Sequence, residues 1–222
     1  MGASLCFAEI PHFYLRLEVD VTDLVRLRED MVSALERECG ARITLTDFIL
    51  RAQALALRDF PAANAVWRND GVFTFSDSNV GLVVGTSEGL AIPIIRAAQH
   101  LSLVDIAGER ERLVGAVRNG HLNTDPDAVA ATSLSNLGPA RVDEFSAIIA
   151  PCQSSMLAVG RAAPRPYVIG DRLEVRTTMR LCLSVDHRVL DGAPAADFLA
   201  RIAGLLENPR SLVPTRLANR AG

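Results

Sequence analysis

The sequence predicts a mixed-sheet α/β or α+β sandwich with helices on one face. Three observations point there. The chain opens as one strand followed by two helices, its middle is rich in short strands, and it closes on a long hairpin strand that runs into an apolar helix. Strands and helices do not alternate as regular βαβ units, which argues against a Rossmann or TIM arrangement. With 222 residues and 49% apolar content, residues 1–222 can bury one substantial core. No Pro/Gly/Ser-rich linker or charge run divides them.

The opening strand is Phe13 to Val21, where Leu15, Leu17 and Val19 alternate with Arg16, Glu18 and Asp20. Thr22 is the expected N-cap of a helix to about Gly40, with Leu24, Leu27, Met31 and Leu35 on one face. Thr46 is the expected cap of a second helix, Asp47 to Asp59, stopped by Pro61. Val72 to Phe75, Asn79 to Gly85 and Leu90 to Ile95 read as strands. Ser102 caps a helix from Leu103 to about Asn119, and Gly120 to Asp127 is a polar loop. Short strands are expected at Ala131 to Ser135, Ala147 to Ile149 and Ser155 to Gly160. A hairpin about Gly170-Asp171 then joins Val168-Ile169 to Leu173–Asp186, and the last helix runs from Gly192 to about Glu207.

Composition excludes several chemistries. The formal charge is −3 with acids and bases interspersed, so neither a nucleic-acid footprint nor a basic membrane-binding face is indicated. All 23 strongly basic residues are arginine. These residues therefore offer no lysine Schiff base, no P-loop lysine and no lysine to carry a lipoyl group. Cys6, Cys39, Cys152 and Cys182 are widely spaced and read as free thiols in a reducing cytoplasm. No apolar run approaches the roughly 20 residues that span a bilayer. His12, His100 and His121 show no ligand-like spacing, so no metal site is expected.

One stretch concentrates the chemistry: Ser184-Val185-Asp186-His187-Arg188-Val189-Leu190-Asp191-Gly192, between an apolar strand and an apolar helix. His187 is either a hydrogen-bonded core histidine or a general base exposed at a strand end. Asp191 could orient the imidazole or an arginine, or simply cap the following helix, which is the cheaper explanation. Ser135 and Asn136 place a hydroxyl and an amide at another strand end, suited to an oxyanion or merely to a turn before Gly138-Pro139. Gly85-Thr86-Ser87-Glu88-Gly89 matches the G-x-S-x-G nucleophile elbow, but a proline-containing strand follows instead of a helix, so a hairpin turn is expected.

Taken together, Ile10 to Leu15, Asn79 to Val84, Gly89 to Arg96, Ser135 to Gly138, Gln153 to Gly160 and Asp186 to Gly192 run in the order found in a known family. The chain resembles the catalytic domain of the 2-oxo acid dehydrogenase acyltransferases (E2, dihydrolipoamide acyltransferases), related in fold to chloramphenicol acetyltransferase. The resemblance covers about residues 10 to 209. It implies a two-layer sandwich assembled as a homotrimer with active sites between subunits, and acetyl-CoA or another acyl-CoA as cosubstrate. His187 would be the general base and Ser135 the oxyanion donor, contributed by the adjacent subunit. Asp191 would support the geometry through an arginine, while Asn136, Leu137 and Gly138 would lie at the CoA site. Neither a covalent acyl-enzyme nor a metal is implied.

Departures from the family pattern shape the functional expectation. Met1 to Glu9 read as a short arm before the matching blocks and residues 210–222 as a tail, so that, with Met1 as the start, no lipoyl or peripheral-subunit-binding domain is expected. Val129 to Leu134 replaces the usual Gly-Gly-Thr-Phe-Thr-Ile, and Ala150-Pro151-Cys152 the usual Asn-Pro. The first expectation is a free-standing cytoplasmic acyltransferase that moves an acetyl group from acetyl-CoA to a small-molecule hydroxyl or thiol in biosynthesis. The second is an E2 core acting on dihydrolipoamide, free or on a separate lipoyl or carrier domain; the third is a non-catalytic E2-like scaffold.

Overall fold

The computed structural model describes residues 9–39, 42–87, 89–120 and 129–213, without the side chains of residues 32–39. The expected arm up to residue 8, the loop at 121–128, the tail from 214, Gly40 and the side chain of Leu35 lie outside what is described.

Strand β1 (His12–Asp20) leads into α1 (Thr22–Cys39) and α2 (Leu45–Asp59). Then come β2 (Ala65–Arg68), β3 (Gly71–Thr74), β4 (Val80–Leu82), β5 (Val84–Thr86), β6 (Gly89–Ala91) and β7 (Ile94–Ile95). Helix α3 (Leu103–Arg118) precedes β8 (Thr132–Asn136), β9 (Ser155–Val159), β10 (Ala163–Ile169), β11 (Arg172–Asp186) and α4 (Gly192–Glu207). The main sheet runs β1-β11-β9-β8-β4-β7, with β10 also on β11, while β2-β3 and β5-β6 are separate pairs. β4, β8 and β9 are mutually parallel and the remaining pairings antiparallel, so the sheet is mixed as expected.

Period-2 alternation divides the sheet into two faces. Leu134, Leu157, Val159, Leu181, Leu183 and Val185 join the large core with α1, α2, α3 and α4. Helix α2 is buried on nearly every side, including Phe48, Ile49, Leu50 and Leu57, and α4 contributes Phe198, Ile202 and Leu206. The opposite face carries Met156, packed with Ile149 and Ala150 from an irregular segment. That segment was expected to hold a strand at 147–149, but none forms. Side chains tie it down instead: Ser184 Oγ donates to Ala147 O, and Ile149 N donates to His12 Nε2 at 3.2 Å.

Local chemistry corrects other boundaries. Helix α2 is capped by Thr44, whose N and Oγ both donate to Asp47 Oδ2 at 2.7 and 2.8 Å. Thr46 is thus inside the first turn, free to accept from Asn136 Nδ2 at 3.0 Å. Thr22 begins α1 instead of capping it, and its N and Oγ donate to Asp20 Oδ1. Pro93 interrupts the expected strand 90–95, and Leu82 N donates to its carbonyl oxygen. The G-x-S-x-G stretch is a hairpin, with Gly85 paired to Leu90 and Thr86 to Gly89. The strand expected at Val72 to Phe75 is β3, and it pairs with β2, which was not expected, across the turn at Asn69-Asp70, φ 48 and 60, before Gly71. The expected tail starts inside the core, since Leu212 is buried in the turn Pro209–Leu212. Among the described residues no helix is long and apolar enough to cross a membrane.

Candidate active site

His187 stands one residue beyond β11, on a turn whose backbone polar atoms are tied in three directions. Asp186 N donates to Ser154 O at 2.8 Å, and His187 N donates to Pro11 O at 3.0 Å. Asp186 O accepts from Val189 N and Leu190 N at 3.0 and 3.2 Å. The strand end is thereby stitched to β9's approach on one side and β1's on the other. The imidazole nevertheless keeps 55% of its side-chain surface open. A buried, satisfied core histidine would not, so the structure favours the exposed alternative. The Phe13 ring lies against it, centroid to centroid 4.8 Å, and limits its rotation.

Asp191 takes the N-cap position of α4 but makes no side-chain capping bond. Its Oδ1 is 3.6 Å from His187 Nδ1, close enough to bias the ring electrostatically but too long for a good hydrogen bond. The neighbouring arginine, expected to act with Asp191, binds a different carboxylate. Arg188 Nε and Nη2 grip the carboxylate of Asp186 at 2.9 and 2.7 Å, and Arg188 N donates to the same carboxylate at 3.0 Å. Asp186 is 1% exposed, so this charge is buried and needs that fork. Hydrogen bonding to Asp186 holds the Arg188 guanidinium more firmly protonated than an ordinary arginine, against an opposing effect of burial. Arg188 Cζ also lies 5.5 Å from the centroid of Trp67 on β2.

Ser135 sits near the far end of β8, partly exposed, on the face away from the helices that it shares with Ser133. Register decides its relation to His187. Ser135 is level with Ala158, and Ala158 with Cys182. Cys182 is five residues short of His187, about 16 Å along the strand direction. Two strand spacings add about 10 Å across. The two expected catalytic groups therefore do not meet within one chain.

The Asn136 side chain is committed locally, with Nδ2 donating to Thr46 Oγ1 and Oδ1 accepting from Gly138 N at 2.9 Å. It holds the loop rather than presenting an amide to a ligand. Leu137 is 39% exposed, and Gly138 packs so tightly that an added Cβ would lie 2.9 Å from Gly160 O. Of the expected CoA-site residues, Leu137 offers the open side chain. Cys152 and Cys182 are free thiols, and among the described residues no group of three or more His, Cys, Asp or Glu could hold a metal.

A family model described as 2-oxoacid dehydrogenases acyltransferase (catalytic domain) matches residues 4–213. The chain belongs to this acyltransferase family. Among family members, the dihydrolipoyllysine-residue acetyltransferase component of the pyruvate dehydrogenase complex of Rickettsia bellii is 36% identical over 90% of this chain. That match takes in 48% of the Rickettsia protein, so the chain spans about half the length of the relative. A solved dihydrolipoamide acetyltransferase from Azotobacter vinelandii superposes with a TM-score of 0.90 at 28% identity, covering 95% of this chain and 87% of that one. Its study addressed a serine, a histidine and an asparagine in the mechanism, the last two spaced as His187 and Asp191 are here. Chloramphenicol acetyltransferase, at 14% identity and a TM-score of 0.55 over 93% of this chain and 95% of that one, shares the acyltransferase fold.

Proposed function

We propose that this domain is the catalytic core of an E2-type acyltransferase that exchanges an acetyl group between CoA and the thiol of a dihydrolipoyl group. The observation that carries the reading is His187, an open imidazole on a turn whose amides from Asp186 to Leu190 all donate, in a chain of the acyltransferase family. The names of the relatives favour a dihydrolipoyl thiol over the small-molecule hydroxyl or thiol first expected. With no lysine among the 222 residues, the lipoyl group is supplied from outside them.

The step follows from the groups present. With Nδ1 turned toward Asp191, His187 Nε2 removes the acceptor thiol proton as sulfur attacks the thioester carbonyl carbon. The carbonyl π pair moves to oxygen, and a Ser135 hydroxyl donates to that oxyanion. Collapse re-forms the carbonyl and breaks the bond to the CoA sulfur, which takes the proton back from the imidazolium. No covalent bond to the enzyme forms, and the reverse direction uses the same groups.

Because His187 and Ser135 are far apart within a chain, the site we propose pairs His187 of one copy with the hydroxyl of another, as a cyclic homotrimer allows. The β10-β11 hairpin supports such contact. Val168, Leu173 and Val175 are 66%, 73% and 77% exposed, and pairing of Val168 with Leu173 gathers them on one face.

Acetyl transfer from acetyl-CoA to free dihydrolipoamide, followed as thioester formation, tests the reading. We expect turnover that falls by about two to four orders of magnitude in His187→Ala. Transfer to simple hydroxyl or thiol acceptors but not to dihydrolipoamide would return the first expectation, and undiminished turnover in His187→Ala would remove the histidine mechanism. Binding of no acyl-CoA by the wild type would leave a scaffold.

A further inference from the structure

We propose that Trp67 and Arg188 are positioning residues for His187, closing with Asp186 and Ser154 a ring of contacts that locks the β2-β3 hairpin to the turn bearing the base. The proposal rests on the reading of His187 as that base.

The ring can be traced bond by bond. The Trp67 ring faces the Arg188 guanidinium, Cζ to centroid 5.5 Å. Arg188 holds both oxygens of Asp186 through Nε and Nη2, at 2.9 and 2.7 Å. Asp186 N donates to Ser154 O at 2.8 Å, and Ser154 Oγ donates to Ala65 O, two residues before Trp67 on β2. The hairpin is anchored in turn: Asn64 Nδ2 donates to Phe75 O and Asp77 O at 2.9 and 3.0 Å. Trp67 is therefore fixed relative to Ser154, and Ser154 relative to Asp186.

The Asp186 carboxylate is central because it also accepts from the Arg188 amide at 3.0 Å, gripping the residue after His187 by both main chain and side chain. Its own main-chain oxygen accepts from Val189 N and Leu190 N, beyond the histidine. Arg188 is only partly covered, with 33% of its side chain open, so without the Trp67 face its guanidinium can swing to water. The buried carboxylate would then lose its counter-charge and turn to follow, releasing the amide that sets the His187 turn. The effect on chemistry is one of aim, to which transfer between two thioester-forming sulfurs is sensitive.

The test compares Trp67→Leu, Trp67→Phe, Arg188→Lys and the double variant Trp67→Leu/Arg188→Lys, each assayed where circular dichroism shows it folded. Expected are a kcat reduced about tenfold in Trp67→Leu, recovered in Trp67→Phe, which keeps an aromatic face. The KM for acetyl-CoA should stay within about twofold of wild type. The double variant should be no worse than Arg188→Lys, because both changes act through one contact. Unchanged kcat in Trp67→Leu, or losses that multiply in the double variant, overturns the proposal.

A second readout does not depend on activity. Diethyl pyrocarbonate labelling of His187, read by peptide mass, should be faster in Trp67→Leu than in wild type, and an equal rate overturns the proposal. If His187→Ala retains full turnover the base reading fails, and the labelling rates alone then decide whether the ring positions this residue.

Discussion

Residues 172–177 and 178–186 belong to one strand, β11, yet meet different surroundings. The inner residues pair with β1 along one edge, and from Leu181 with β9 along the other, and are almost continuously buried. The outer residues pair with β10, while β1 stops at Asp20, opposite Thr178. Their side chains alternate, leaving Leu173 and Val175 in water. Both halves suit a strand by propensity, so propensity does not separate them. What separates them is the length of β1 and β9. The inner half delivers His187 at a fixed point, and the outer half extends past the core to offer the apolar face on which we propose another copy sits.

The largest expected effect attacks the division of the site between copies. Ser135→Ala should lower turnover by about two to three orders of magnitude, as loss of one oxyanion donor does. Co-assembled Ser135→Ala and His187→Ala subunits should regain activity, since random mixing restores an intact pair at about one interface in four. Mixed assemblies, purified with two affinity tags, provide the measurement. No recovery would place both groups in one chain, against the register. A smaller effect is expected at the outer half. Leu173→Glu with Val175→Glu should dissociate the assembly, because each apolar side chain taken from water contributes about 1.5–3 kcal/mol. Light scattering should then report a single-chain mass with unchanged far-ultraviolet dichroism; an intact assembly would move the interface elsewhere.

Much of this was legible in the sequence, and the gaps have physical causes. The Gly170-Asp171 turn and the apolar run to Val185 announce β11, and the polar cluster after it announces His187. The family blocks add the expected roles. The distance between Ser135 and His187 was not legible, because it depends on β9 lying between β8 and β11 and on the register of both pairings. Nor was Arg188's choice of Asp186 over Asp191: the carboxylate buried by the sheet needs the guanidinium more than the open one does. Trp67 carries no sequence signal of its role because its partner lies more than 100 residues away, although Asn69-Asp70-Gly71 is a hairpin signal that places it on a strand. The cap expected at Thr46 falls at Thr44, where Thr-x-x-Asp is the better pattern.

The smallest expected effect lies at the boundary between the two halves. Asp20 ends β1 and accepts from Arg176 Nε at 2.7 Å, from the outer half, and from Thr22 N and Oγ at the start of α1. Burial pushes its carboxyl up, but the Thr22 hydroxyl and amide and the Arg176 guanidinium outweigh that and leave it below the ordinary aspartate value. A depressed folded pKa means that the unfolded chain binds the proton more readily. The contribution to stability is therefore fully present above the unfolded value, about 3.9, and is lost as pH falls through the lower folded value. Asp20→Asn should cost about 1–2 kcal/mol at pH 7, the price of weakened partners for a charged, hydrogen-bonded group. The difference from wild type should shrink steadily below about pH 4. Urea midpoints at fixed protein concentration, which holds the assembly term constant, measure both quantities. A difference independent of pH would mean that Asp20 joins the halves of β11 by shape and hydrogen bonding alone, and that its charge contributes nothing to holding the outer hairpin in line.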